Sequence, residues 1–254
     1  LVAHLDNRAP LFPGHGLSVT ASGAIANRGR LDSRGAISLT GASIDSTGAI
    51  STAGDVTLTA VGVLANGGDV QGRHLTASAD RIDQTGRLLG SGDVQLTARE
   101  LAHRGQIAAG LISEGDNAGG LGSSGRITLR GREIVQSSGA LYAGESIDIE
   151  GATLDLRGNT AQARDVHLRA TSGDLDLDGA TTAASGALVL DTTGALRHRG
   201  GQLDAGRLTI AAQSLDNRDG SIVQRGTQAQ AIRVAGELTN ERGRIASNGS
   251  QLHL

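Results

Sequence analysis

The sequence has no cysteine, tryptophan or methionine, a single phenylalanine (Phe12), a single tyrosine (Tyr142) and two prolines (Pro10 and Pro13). The missing cysteines exclude disulfides and thiolate metal sites, and they agree with export of an unfolded chain through an oxidising compartment. The missing rings say more about the fold. Aromatic side chains bury the most area per residue, and a compact domain of 254 residues ordinarily depends on them. Without them the core must be thin and built from Val, Ile, Leu and Ala, which suits repeated units that each touch only their neighbours. No apolar run reaches the length of a membrane span, and Leu1 opens no signal-peptide pattern. An excess of one charge is missing too: the formal net charge is −3, with acids and bases interspersed. With no basic stripe for phosphates and almost no rings for bases, nucleic acid is not an expected partner.

What the chain has in abundance is glycine, 39 residues of it, spaced regularly. Three columns advance together through the first half. Ile25, Ile44, Leu64, Ile82 and Leu101 are separated by 19, 20, 18 and 19 residues, and Leu31, Ile50, Val70, Leu88 and Ile107 follow with the same steps. So do Gly29, Gly48, Gly68, Gly86 and Gly105. Each unit opens on an apolar–polar–apolar triplet, from Ile37-Ser38-Leu39 and Val56-Thr57-Leu58 through Leu208-Thr209-Ile210 and Ile232-Arg233-Val234 to Leu252-His253-Leu254. That alternation is the period-2 signal of a half-buried strand, and no helical period persists anywhere.

A unit of about 19 residues is too short to include a crossover helix but sufficient for three short strands and tight corners. The expected fold is therefore all-β, a right-handed parallel β-helix of about 19–20 residues per coil, elongated and monomeric. One continuous shaft is expected over 1–254, with an irregular N-terminal stretch at 1–16 that holds both prolines. The step from Val94 to Ile127 is 33 residues, so an extra-helical insertion is expected at about 111–125, with smaller excesses in 178–187 and 226–231. Sharp corners call for positive φ, which glycine adopts without strain. Asn27, Asn66, Asn217 and Asn240 recur two residues after a second-strand apolar residue and read as a structural turn column, since Asn tolerates the left-handed region and bonds turn backbone. The chain stops in mid-pattern, which reads as a segment of something longer.

Few residues suggest chemistry. Asp174-Leu175-Asp176-Leu177-Asp178-Gly179 opens like a calcium loop, but Ser185 stands where the closing Glu belongs. The alternating leucines suit an exposed strand, leaving Asp174, Asp176 and Asp178 as weak metal candidates at most. The seven histidines are scattered, and His103 and His198 take the Asn corner position. No nucleophile elbow, phosphate loop or dinucleotide fingerprint occurs, so no cofactor is implied. A polysaccharide-cleaving β-helix would need clustered acids, long groove-forming loops and sugar-stacking rings, and the monotonous coils lack these, so no enzyme is expected. Within the insertion, Glu114, Asp116 and Asn117 are the side chains that a recognition loop would offer; the competing reading is a neutral loop, because extra length costs little.

The unit Leu208-Thr209-Ile210-Ala211-Ala212-Gln213-Ser214-Leu215-Asp216-Asn217-Arg218-Asp219-Gly220-Ser221-Ile222 resembles the repeats of filamentous haemagglutinins, as does Leu238-Thr239-Asn240-Glu241-Arg242-Gly243-Arg244-Ile245. The resemblance runs from Leu17 onward. It implies a piece of a large exoprotein of bacterial two-partner secretion, an adhesin or a contact-dependent growth-inhibition toxin. It further implies export through an outer-membrane two-partner-secretion transporter, a secreted or cell-surface location, and contact with a host or target-cell receptor or glycan. Neither the family's secretion-domain motif nor a toxin-like C-terminal domain is recognisable, so the chain reads as interior shaft.

The strand face sets the first prediction. Leu58→Ala, an inward truncation, should cost about 2–5 kcal/mol, and Thr57→Ala, one residue away and outward, less than about 1 kcal/mol. Equal losses in denaturant titrations would mean that the face is misassigned.

Overall fold

A computed structural model describes residues 1–112 and 120–249, and the backbone of 252–253. Among them the chain forms 31 strands and no α-helix. Every strand-to-strand ladder is parallel and joins equivalent residues of successive coils, in about twelve turns. At a spacing of about 4.8 Å per coil the stack is on the order of 55 Å long.

One coil shows the plan. Ile37–Gly41 forms the first face, Ser43–Ser46 the second and Ala49–Thr52 the third, with only one to three residues at each corner. The alternation fixes which side chains enter the tube: Ile37, Leu39, Ile44 and Ile50 are buried, while Ser38, Thr40 and Ser51 point outward. The stacking then repeats the choice in every coil. Ile25 pairs with Ile44, Ile44 with Leu64, Leu64 with Ile82 and Ile82 with Leu101. On the third face Leu31, Ile50, Val70, Leu88 and Ile107 stack in the same order. These two columns are the ones read from the sequence.

Four local features differ from the expectation. The stretch 1–16 contributes to the stack, since Leu5–Asn7 pairs with Ala24–Asn27 and Leu11 bridges to Leu31, so its prolines sit in a partial coil. The last triplets are shifted by two residues: Ile210 pairs with Ile232, and Thr209 with Ala231. The buried amide of Gln230 thereby stands above Leu208, where an isoleucine was expected. The shift follows from Gln224, whose Oε1 accepts the Leu208 N–H and whose Nε2 donates to the Gly226 and Gln228 carbonyls, drawing the longer corner inward. Two ladders also step by a bulge, at Ala98/Glu100 and at Ala184/Ala187.

The glycine column has a different cause from the one expected. Gly48, Gly68, Gly86 and Gly105 do not have the positive φ expected of corner glycines; a Cβ on each would collide with the carbonyl oxygen of the glycine one coil below. Glycine is needed there because backbones approach closely. Positive φ occurs at the same corner in the second half, where the turn is longer, at Gly158, Gly179, Gly200, Asp219 and Arg242. Around Gly158, Gly179 and Gly200 there is open space for a Cβ. The two forms of this corner separate two kinds of glycine requirement. Gly179→Ala should cost about 1 kcal/mol from backbone strain alone, and Gly68→Ala about 3 kcal/mol or more from overpacking against backbone that cannot yield. Guanidinium unfolding of the two variants measures the difference, and a reversed order would contradict it.

Candidate functional site

The interior carries a polar column as well as apolar ones. Asn27 and Asn66 end their second-face strands in extended backbone, and their side chains turn into the tube, fully buried. The Asn7 amide donates to Asn27 Oδ1 (2.8 Å), Asn27 to Ser46 Oγ (3.2 Å), and Asn66 to Gln84 Oε1 (3.0 Å). His103 Nδ1 meets Ser137 Oγ at 2.8 Å. Leu156 and Leu177 interrupt the column, and it resumes with His198, whose Nδ1 lies 2.7 Å from Asn217 Oδ1; Asn217 in turn donates to Asn240 at 2.6 Å. The asparagines are therefore not left-handed turn residues. Asn27, Asn66 and Asn217 do bond turn backbone, donating to the Ala49, Gly68 and Gly220 carbonyls, but from inside the core. There they also link one coil to the next, and an unmet amide would cost roughly 1–3 kcal/mol, whereas Asn240 is exposed.

On the second face Asp174, Asp176 and Asp178 are half-buried and spread along one strand and its corner. Asp174 pairs with Arg197 at 2.8 Å and Asp178 with Arg199 at 2.5 Å, both from the coil above. Asp176 accepts the Asp178 N–H at 3.0 Å, and burial raises its pKa above the ordinary carboxylate value. The three carboxylates thus face arginines and backbone donors. Among the described residues no three His, Cys, Asp or Glu side chains gather as a metal-holding group. The proposed recognition residues Glu114, Asp116 and Asn117 lie outside the described residues.

The base of the insertion is described, and it is a closed neck. Leu111 and Leu121 form an antiparallel bridge, Ile112 N–H donates to the Gly120 carbonyl (2.9 Å) and Gly122 N–H to the Gly110 carbonyl (2.8 Å). Gly110 and Gly125 adopt positive φ, at 81° and 90°, and approach too closely for any Cβ. Below and above the neck the rod is continuous, with Val94 stacked directly under Ile127.

From this neck a groove of about 530 Å³ runs along the rod beside the third face. Leu121 and Gly122 close one end. Five successive coils then supply its floor and walls, through Ala143–Gly144, Gln162–Arg164, Ala183–Ser185, Asp204–Gly206 and finally Arg225. Along the groove the last inward residue of the third strand is small: Ala143, Ala163, Ala184 and Ala205, all buried. Arg164 Nε bonds Asp165 at 3.0 Å, and Arg225 Nε bonds Asp204 at 2.6 Å. Tyr142 stands beside the groove, its backbone in register with Gln162. Sequence reading missed this site, whose side chains lie about twenty residues apart on outward positions; its one trace was the alanine column at that spacing.

Stacked parallel coils, with a groove along one side and an insertion closed off at its neck, define a β-solenoid. The haemagglutinin repeat matches residues 14–58, 42–117, 91–179 and 157–242, and the chain belongs to that family. Over 144 residues, 57% of the chain, it is 31% identical to Toxin CdiA of Yersinia pestis, and that match spans 4% of the relative's length. No solved structure matches the chain.

The two buried histidines set a pH dependence. Burial pushes the His103 imidazole down to about 4 from its ordinary 6.5, and it lowers His198 too. As pH falls the unfolded chain binds the proton first. The stability of the neutral His103 state is therefore full above 6.5 and drains away between 6.5 and about 4, by roughly 3 kcal/mol at most. His103→Asn places in the column a residue it already uses and should flatten the fall of the denaturation midpoint between pH 7 and 4.5. An unchanged slope would show that His103 is not the titrating group.

Proposed function

We propose that this chain is part of the shaft of a large secreted exoprotein of bacterial two-partner secretion. In this reading an outer-membrane transporter exports it, it folds at the cell surface, and it holds a distal adhesive or toxic region away from the cell without catalysing a reaction itself. The observation that carries the reading is the uninterrupted parallel stack from Leu5 to Arg244, in which one coil rests on the next even across the insertion. Family membership and the similarity to Toxin CdiA support it. The acids along the rod are largely engaged by arginines, an arrangement that favours a scaffold over acid–base chemistry. A second reading, in which the 111–125 insertion recognises a target-cell or host receptor through Glu114, Asp116 and Asn117, is favoured by the neck, which attaches the insertion without disturbing the coils.

A passive shaft is indifferent to its length but not to its register. Deleting residues 42–79 from the full exoprotein removes two coils and joins Gly41 to Asp80, because Gly41 and Ala79 hold equivalent positions. Surface display and distal activity should survive, with the rod shorter by about 10 Å. Deleting 42–51 instead throws the apolar columns out of line and should abolish display. If the in-register deletion is as damaging as the other, the segment is more than a spacer.

A further inference from the structure

We propose that the axial groove beside the insertion neck is a binding site for a neutral, linear oligosaccharide lying along the rod. Four properties point to that ligand class. The groove crosses five coils, from Ala143 to Arg225, and so extends about 19 Å. Its walls advance one coil at a time, about 4.8 Å per step, which is close to the length of one pyranose residue in an extended chain, although the side chains differ from coil to coil (Gln162, Ala183, Asp204). An extended chain of sugars can therefore place about one ring on each coil.

The lining combines donors and acceptors at short range: the Gln162 amide, the Arg164 guanidinium, the Ser185 hydroxyl and the Asp204 carboxylate. Sugar hydroxyls both donate and accept, and such a set serves them from either side. The floor is alanine and glycine, flat enough for the apolar face of a sugar ring. The arginines are offset by Asp204, by Asp165 on Arg164 and by Glu145 at 3.7 Å, so the groove lacks the unpaired positive charge that a polyanion would require.

A peptide fits the same groove poorly. Lying along the rod it would cross the strands at right angles. The wall backbones are already paired coil to coil, Tyr142 with Gln162 and Gln162 with Ala183, leaving no sheet edge to extend. A glycan needs no such edge.

The test uses the folded chain and length ladders of cello-, chito- and malto-oligosaccharides, with affinity measured by calorimetry. Affinity for at least one ladder should rise with each added sugar up to about five, the number of coils lining the groove, and then level off. Ala183→Trp, which projects into the groove from an outward position, should weaken binding at least tenfold, and Gln162→Ala severalfold. Thr57→Trp on the first face should leave it unchanged, and circular dichroism confirms that each variant folds. The proposal is overturned if no neutral ladder binds, if affinity ignores chain length, if Ala183→Trp binds as well as the parent, or if a sulfated chain or an unstructured peptide binds more tightly than the best neutral sugar.

Discussion

The parallel hydrogen-bonded ladder between one coil and the next governs the rest of this molecule. It holds equivalent residues about 4.8 Å apart, so each inward position rests on its own counterpart and a column has to be compatible with itself. Aliphatic side chains satisfy that condition in a thin tube, which explains a core of Ile, Leu, Val and Ala without Phe, Tyr or Trp. The same rule bears on the backbone. Where corners stack as closely as the sides, the carbonyl of one glycine occupies the space that a Cβ of the next would fill, and the column Gly48, Gly68, Gly86 and Gly105 follows.

Polar groups can obey the rule only if each gives what its neighbour accepts. Amides manage this, having a donor and an acceptor on one planar group, and the Asn7–Asn27–Ser46 run is such a chain. The match is incomplete elsewhere: among the described residues one ring nitrogen of His103 and of His198 has no partner, and neither do Asn66 Oδ1, Gln84 Nε2 and both amide atoms of Gln230. The two histidine coils are sound while the rings are neutral and unfavourable once a proton demands a further acceptor. The outer surface obeys the rule in charge: Asp178 meets Arg199 and Asp204 meets Arg225 one coil on, so opposite signs stack along the axis and the net charge stays small.

The coil length, the strand faces and the two aliphatic columns were legible in the sequence because each depends on local alternation and a fixed repeat. The insertion was legible as a break in that repeat between Val94 and Ile127. Three features were not. The glycine column looked like a turn requirement, since spacing cannot distinguish a left-handed φ from a close approach between backbones. The asparagines looked like corner residues because they do sit at the corner, and only the fold shows their side chains turned inward. The register slip at Gln230 was hidden because Ile232-Arg233-Val234 satisfies the triplet pattern as well as the true pairing does. The groove lay beyond reach for another reason: its lining is spread over five coils as outward residues of differing type, and a repeat pattern registers only what recurs.

The neck at Gly110 and Gly125 separates two kinds of evolutionary freedom. Chain enters and leaves the rod there at nearly the same point, and the coils on either side close over the gap as though nothing had been added. Whatever is spliced between those glycines leaves the register of the columns beneath and above it unchanged. A lineage could exchange that cargo by recombination in a single event, much as a tool is changed on a fixed handle, while the handle kept its length and its neighbours.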